Sequence, residues 1–225
     1  MTLDFAAVLS RWPMFLDGAI VTVKLATGAT VIGFAIGTLF AIAKRSNVVW
    51  AQRVASAYVE AIRNTPLLVQ IFLVYFGLSS IGLKLPAITV ATAALIINVG
   101  AYATEIMRAG FDSIHKGQVE AAECLALSRR QVYWHVVLLP AMERVYPALT
   151  SQFVLLMLAT SVCSQISAEE LTAVANFVQS DTYRPFETYV LVGVLYVLLS
   201  LAMRAAFWGL GMWLFPRRRR LGTAL

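Results

Sequence analysis

The chain has 225 residues, 60% of them hydrophobic and 13% charged, against about 25% charged in an ordinary soluble domain. That balance excludes a soluble enzyme or binding module and predicts a membrane protein. The net charge of +6 comes from basic residues close to the ends of apolar runs, which favours contact with anionic lipid over nucleic acid.

Five runs escape charge for about the 20 residues that cross ~30 Å of hydrocarbon. They are residues 25–43, 64–83, 85–104, 145–168 and 188–215, the last interrupted by Arg204. Their continuous apolar character, without the alternation of a lipid-facing strand, predicts helices. The expected architecture is an all-α membrane protein with one domain over 1–225. It comprises an interfacial N-terminal helix (1–16), a five-helix core (17–215) and a basic tail (216–225).

The first sixteen residues mix Asp4, Arg11 and Pro13 with apolar side chains. They predict an amphipathic helix at the outer interface, with Trp12 at headgroup level, rather than a cleavable signal peptide. The first span carries Gly33 and Gly37 at the small-xxx-small spacing that lets helix backbones approach. A seam within the chain and a seam between subunits fit that spacing equally. In the second span Pro66 lacks a backbone donor and disfavours helix at Thr65, so the helix must bend or break there. Glu60 and Arg63 stand one turn apart and form a candidate pair. Arg63, Thr65 and Pro66 are the candidate gating residues, and Gln70, deeper, faces either a neighbouring helix or a wet pathway. Residues 79–86, with Gly82 and Pro86, predict a short external turn.

The third span places Asn98 near mid-depth, where an amide needs a partner. Substrate path and interhelical glue are both open for it. Tyr102 and Glu105 follow toward the inner end, Glu105 three residues from Arg108. Residues 102–140 then alternate charge with apolar character. There, Gly117 predicts a sharp turn, and Glu120, Ala121, Ala122 and Glu123 a short helix with its acids near the positive end of the macrodipole. In the fourth span Gln152, Thr160, Ser161, Ser164 and Gln165 form a polar set whose spacing places much of it on one helical face. Gln70, Asn98, Tyr102, Gln152, Thr160 and Ser161 are the candidate pathway residues. Residues 168–187 form an external segment, and Trp208, Trp213 and the arginines at 217–220 close the chain as an aromatic belt and a basic stop.

Lys44, Arg45, Arg53, Lys116, Arg129, Arg130, Arg144 and the arginines at 217–220 fall on one side of the spans. By the positive-inside rule that side is the cytoplasm, with the N-terminus outside and the C-terminus inside. Cys124 and Cys163 suit neither a disulfide framework nor a metal site. His115 and His135 lie far apart, and no Gly-rich phosphate loop occurs, so no catalytic residue, metal or cofactor is expected.

Several motifs occur in one order: 63–70 (RNTPLLVQ), 101–110 (AYATEIMRAG), Lys116-Gly117-Gln118 with Glu120-Ala121-Ala122, and 182–186 (TYRPF). Over about residues 15 to 215 the chain resembles the polar amino acid (histidine, glutamine, arginine) permeases of bacterial ABC importers. The resemblance implies a type I importer fold of five transmembrane helices in the inner membrane. It also implies an EAA loop in which Gly117, Gln118, Glu120, Ala121, Ala122, Glu123, Leu125 and Ala126 contact a cytoplasmic ATPase dimer, the coupling helix running over 117–128. Further implied partners are a second permease subunit, nonidentical rather than a copy, and a periplasmic amino-acid-binding protein. Three departures from the family pattern stand out. Ala126 replaces the glycine after the EAA helix, the stretch from Ala126 to Pro140 is one residue longer, and Leu158-Ala159-Thr160-Ser161 replaces Lys-Asp-Thr-Ser. Two other classes fit less well. An ion-coupled transporter calls for carboxylates at mid-membrane, and an intramembrane enzyme calls for a nucleophile beside its base.

Overall fold

A computed structural model describes residues 3–215; the tail expected at 216–225, with its arginine cluster, lies outside the described residues. Within them, four helices are long and apolar enough to span a membrane, five if the pair bent between Arg63 and Leu67 counts as one span.

The N-terminal helix is a single short piece, α1 (Phe5–Leu9), capped by the Asp4 carboxylate, which accepts from the Ala6 N–H at 3.0 Å. The interfacial helix expected over 1–16 is thus corrected: residues from Trp12 onward belong to α2 (Trp12–Arg45). Asp17 and Lys24 do not interrupt this helix, because both point outward while Phe15, Gly18, Thr22 and Leu25 recur on the buried face.

The second span breaks where Pro66 predicts, and its helix starts at Leu67 rather than at 64. α3 (Val49–Arg63) and α4 (Leu67–Ser80) meet at an angle of 110° across Asn64, Thr65 and Pro66. Pro66 takes an extended conformation and serves as the N-cap of α4, which follows from its locked φ and missing donor. α4 has 14 residues, about 21 Å of helix, short of a full crossing on its own.

The turn at 79–86 closes through Gly82 at φ 85°, and α5 (Ala87–Asp112) then runs through the centre of the main hydrophobic core. Gly33 and Gly37 settle which seam they serve. A Cβ on Gly33 would lie 2.2 Å from a Val99 methyl, and one on Gly37 2.6 Å from the Gly100 carbonyl oxygen. The small residues therefore join α2 to α5 within the chain.

After α5 come α6 (Lys116–Cys124), a three-residue helical turn α7 (Arg129–Gln131), a π-helical stretch (Val132–Leu138) and α8 (Leu139–Ala159). The Ser128 hydroxyl accepts from the Gln131 N–H while the Gln131 side chain accepts from the Ser128 N–H, a capping box that starts the long helix at Arg129. The fourth span is thereby longer at its start than 145–168. It is also shorter in α-helix, because Thr160–Ile166 tightens to a 3₁₀ helix. α9 (Leu171–Thr182) packs on α2, and α10 (Pro185–Leu214) runs back along α8 and α9. A second, smaller cluster of Val8, Phe15, Leu171, Ala175, Val178 and Val192 holds α1, α2, α9 and α10 together.

Candidate functional site

The break between α3 and α4 would leave helix-end carbonyls without partners. The Asn64 and Thr65 side chains donate to those of Glu60 and Ala61, each at 2.8 Å, and a buried side chain takes up that of Ile62. The Gln70 amide donates to the carbonyl oxygens of Ile62 and Thr65 at 2.7 and 3.0 Å and to the Thr65 hydroxyl at 3.0 Å. Its own oxygen accepts from the Asn98 amide on α5 at 2.9 Å. Gln70 is 5% exposed and Asn98 8%, so the bond between them lies in a low-dielectric interior, where it is strengthened. The two amides, 28 residues apart, clamp the bend onto α5.

Around this clamp the charges are arranged in tiers. The Arg63 guanidinium lies over the Tyr102 ring, 5.6 Å from its centroid. The expected Glu60–Arg63 ion pair does not form among the described residues: the break at Asn64 ends α3 and leaves Arg63 directed at α5. Glu105 does pair with Arg108, at 2.8 Å, and additionally with Lys44 of α2 at 2.6 Å. Lys44, Glu60, Arg63, Asn64, Tyr102 and Glu105 line a polar cavity of about 360 Å³. The structure therefore brings Arg63, Thr65, Pro66, Gln70, Asn98 and Tyr102 into one region.

Gln152, Thr160 and Ser161 do not line that cavity. The α-helical spacing ends at Ala159, and in the 3₁₀ segment successive residues rotate by about 120° instead of 100°. Gln152 is half-buried, Thr160 is fully buried and donates to the Met157 carbonyl at 2.7 Å, and Ser161 donates to Leu158 at 2.8 Å.

At the same end as Lys44 and Arg108, α6 stands exposed. Ala122 is buried, whereas Gly117, Gln118, Glu120, Ala121, Glu123, Leu125 and Ala126 are exposed. Several expectations change. Gly117 lies within the helix, and the reversal before it falls at Ser113 to His115. Glu120 occupies the second turn and Glu123 lies near the C-terminus, so neither acid is at the positive end of the helix. The helix ends at Cys124, short of residue 128. Ala126 does make the tight reversal: its φ is 56°, and the Leu127 and Ala126 N–H groups donate to the Ala122 and Glu123 carbonyls at 3.2 and 2.9 Å. This is a Schellman closure in which an alanine occupies the position that favours glycine. The Arg144 guanidinium donates to the Ser113 carbonyl, tying the start of this loop to α8.

The opposite end holds Arg11–Asp181 at 2.5 Å and Arg184–Glu187 at 3.4 Å. There Glu170 is fully buried as the N-cap of α9. It accepts from the Ala173 N–H at 2.9 Å and from the Tyr196 hydroxyl at 2.8 Å. Burial raises its carboxyl above the usual range, against the lowering effect of those donors. Sequence alone treated Glu170 as one acid of an external segment. Its position just ahead of the apolar run of α9 is the signal that marks an N-cap.

A family model for the inner membrane component of binding-protein-dependent transport systems matches residues 15–218. The chain belongs to that family. Among relatives, the octopine transport permease OccM of Rhizobium radiobacter is 33% identical over 224 residues, covering 96% of this chain and 89% of that protein. The glutamine transport permease GlnP of Escherichia coli K12 is 32% identical over 205 residues, covering 90% of this chain and 94% of its own. A crystal structure of an amino acid ABC transporter with histidines superposes with a TM-score of 0.86 at 37% identity, over 97% of this chain and 100% of that one. The MetNI methionine transporter, at 17% identity and TM-score 0.76 over 91% and 98% of the two chains, shares the fold. This permease is accordingly a multi-pass membrane subunit with the type I ABC importer fold.

Proposed function

We propose that the chain is the membrane subunit through which an ATP-driven importer passes a polar amino acid or a close derivative, delivered by a periplasmic binding protein. The observation that carries this reading is α6, a short helix with most of its surface exposed beside the charged end of the bundle, in a chain whose relatives transport octopine and glutamine. ATP is hydrolysed by a cytoplasmic ATPase dimer, and α6 with its closing turn is the coupling element seated on it. Nucleotide-driven movement then passes through Ser113 to α5 and through the π-helical stretch to α8, shifting the bundle between two accessible states. Arg63, Thr65 and Pro66 act as the gate, and Gln70, Asn98, Tyr102, Gln152, Thr160 and Ser161 contribute to the path. The end bearing Lys44, Arg45 and α6 faces the cytoplasm, and the N-terminus lies outside. Leu158 and Ala159, in place of a charged pair, favour a second, nonidentical permease subunit that supplies those charges.

Reconstitution with the ATPase and binding protein tests this reading. Glu120→Lys should cut substrate-stimulated ATP hydrolysis by about tenfold, as expected for ~1.4 kcal/mol of lost docking, with the yield of folded permease unchanged. Unaltered assembly and hydrolysis would remove α6 from the coupling role. Uptake that follows a proton or sodium gradient without ATP would establish an ion-coupled transporter instead.

A further inference from the structure

α10 presents Val197, Leu201, Trp208 and Trp213 outward, as a lipid-facing helix does. Arg204 interrupts that face. Its side chain is exposed, and among the described residues it makes no hydrogen bond, ion pair or ring contact. An unpaired guanidinium in a spanning helix is costly unless it reaches a polar partner. Arg204 lies ten residues before Leu214, about 15 Å from the helix end.

The surroundings supply a receptacle. Arg204, Trp208, Tyr146, Pro147, Thr150 and Ser151 line a groove of about 310 Å³ between α8 and α10. The groove lies in the last third of α10: Tyr146, which lines it, donates to the Phe207 carbonyl at 2.7 Å and packs edge-on against Phe215, centroids 5.3 Å apart. A long cationic side chain at this depth snorkels toward the headgroups, and Trp208, one turn on, carries an indole N–H suited to the same level.

We propose that this groove binds the headgroup phosphate of an anionic phospholipid from the leaflet at the α6 end of the bundle. Arg204 contacts the phosphate through its planar fork of donors, Ser151 and the Trp208 N–H add hydrogen bonds, and the acyl chains lie along the exposed leucine and valine face of α10. Charge decides between this occupant and a second copy of the chain. A two-fold contact through this face would set the same cationic groove against itself, whereas a phosphodiester neutralises it.

The test uses the intact transporter in nanodiscs of phosphatidylglycerol or phosphatidylcholine, with bound lipid counted by native mass spectrometry after transfer to detergent. Wild type should retain phosphatidylglycerol in preference to phosphatidylcholine. Arg204→Gln should bind it about fivefold more weakly, with Arg204→Lys between the two. Brominated phosphatidylglycerol should quench wild-type fluorescence more than that of Trp208→Phe. Equal retention by Arg204→Gln, no preference between the two lipids, or a Trp208 that bromine does not reach would each overturn the proposal. If Arg204→Gln fails to assemble, the wild-type lipid preference and the quenching difference decide the matter without it.

Discussion

α5 and α10 are both long apolar helices, yet 56% of the most apolar window of the first is buried and 11% of that of the second. The more apolar of the two is the less buried, so hydropathy does not explain the difference, whereas side-chain size does. α5 offers Ala91, Ala94, Gly100, Ala101 and Ala103 to its neighbours, so backbones of α2 and α5 come close enough for dispersion contact along their length. α10 carries leucine and valine around its circumference and is attached at a few points, among them the Tyr146–Phe207 and Tyr196–Glu170 hydrogen bonds. Steric fit holds the first helix, whereas one small apolar cluster around Val192 and a few scattered polar contacts hold the second.

The most forceful way to break this contrast is at the glycines. Gly37→Val should prevent stable assembly, because even a Cβ there meets the Gly100 carbonyl oxygen at 2.6 Å and Ala103 at 2.7 Å; overpacking of this kind costs about 1–3 kcal/mol or more. Gly209→Val on α10, where a Cβ has nothing within 4 Å, should stay within about 0.5 kcal/mol of wild type. Thermal unfolding of both variants in one detergent makes the comparison.

A smaller effect is expected at the clamp. Gln70→Leu and Asn98→Leu, alone and together, should give a coupling energy of about 0.6–1.7 kcal/mol in a double-mutant cycle. A coupling near zero would mean the two amides pair with water or substrate instead. Loss of transport by Asn98→Ala at unchanged thermal stability would place Asn98 on the path as well as in the clamp.

The polar attachment of α10 predicts a pH dependence of its own. Because the folded-state pKa of Glu170 is raised, the folded protein binds this proton more tightly than the unfolded chain. Stability from this group is full below the ordinary carboxylate pKa and falls as pH rises through the elevated one. Glu170→Gln should flatten that slope in pH-dependent melting and so narrow the gap between the melting temperatures at its two ends.

The smallest change concerns the lever. Ala126→Gly relieves a left-handed alanine, a strain of about 1–2 kcal/mol partly offset by glycine's greater unfolded-state freedom. Slower hydrogen exchange at the Ala126 and Leu127 amides would register it.

Much of this was legible in the chain itself. Apolar run lengths located the long spanning helices, Pro66 located the break, and the Glu105–Arg108 pair followed from spacing. What failed has a common cause. Periodicity assumes one helical pitch, so it placed Thr160 and Ser161 on a continuous face where the helix had tightened, and it took Gly117 as the turn because glycine usually marks one. The Gln70–Asn98 bond and the Lys44–Glu105 pair depend on how separate helices cross, which no local pattern encodes. The sidedness of Asp17 and Lys24 was likewise hidden, because a charge count does not register which way a side chain points.

The π-helical stretch at Val132–Leu138 bears on how such permeases tolerate change. Inserting one residue into an α-helix turns everything beyond it by about 100°, which here would swing Ala141, Val145 and Leu149 out of the core and into lipid. A widened turn swallows the surplus residue without that rotation. A residue added between Ala126 and Pro140 would thus be taken up locally, like slack in a winding, with the azimuth of the following span preserved.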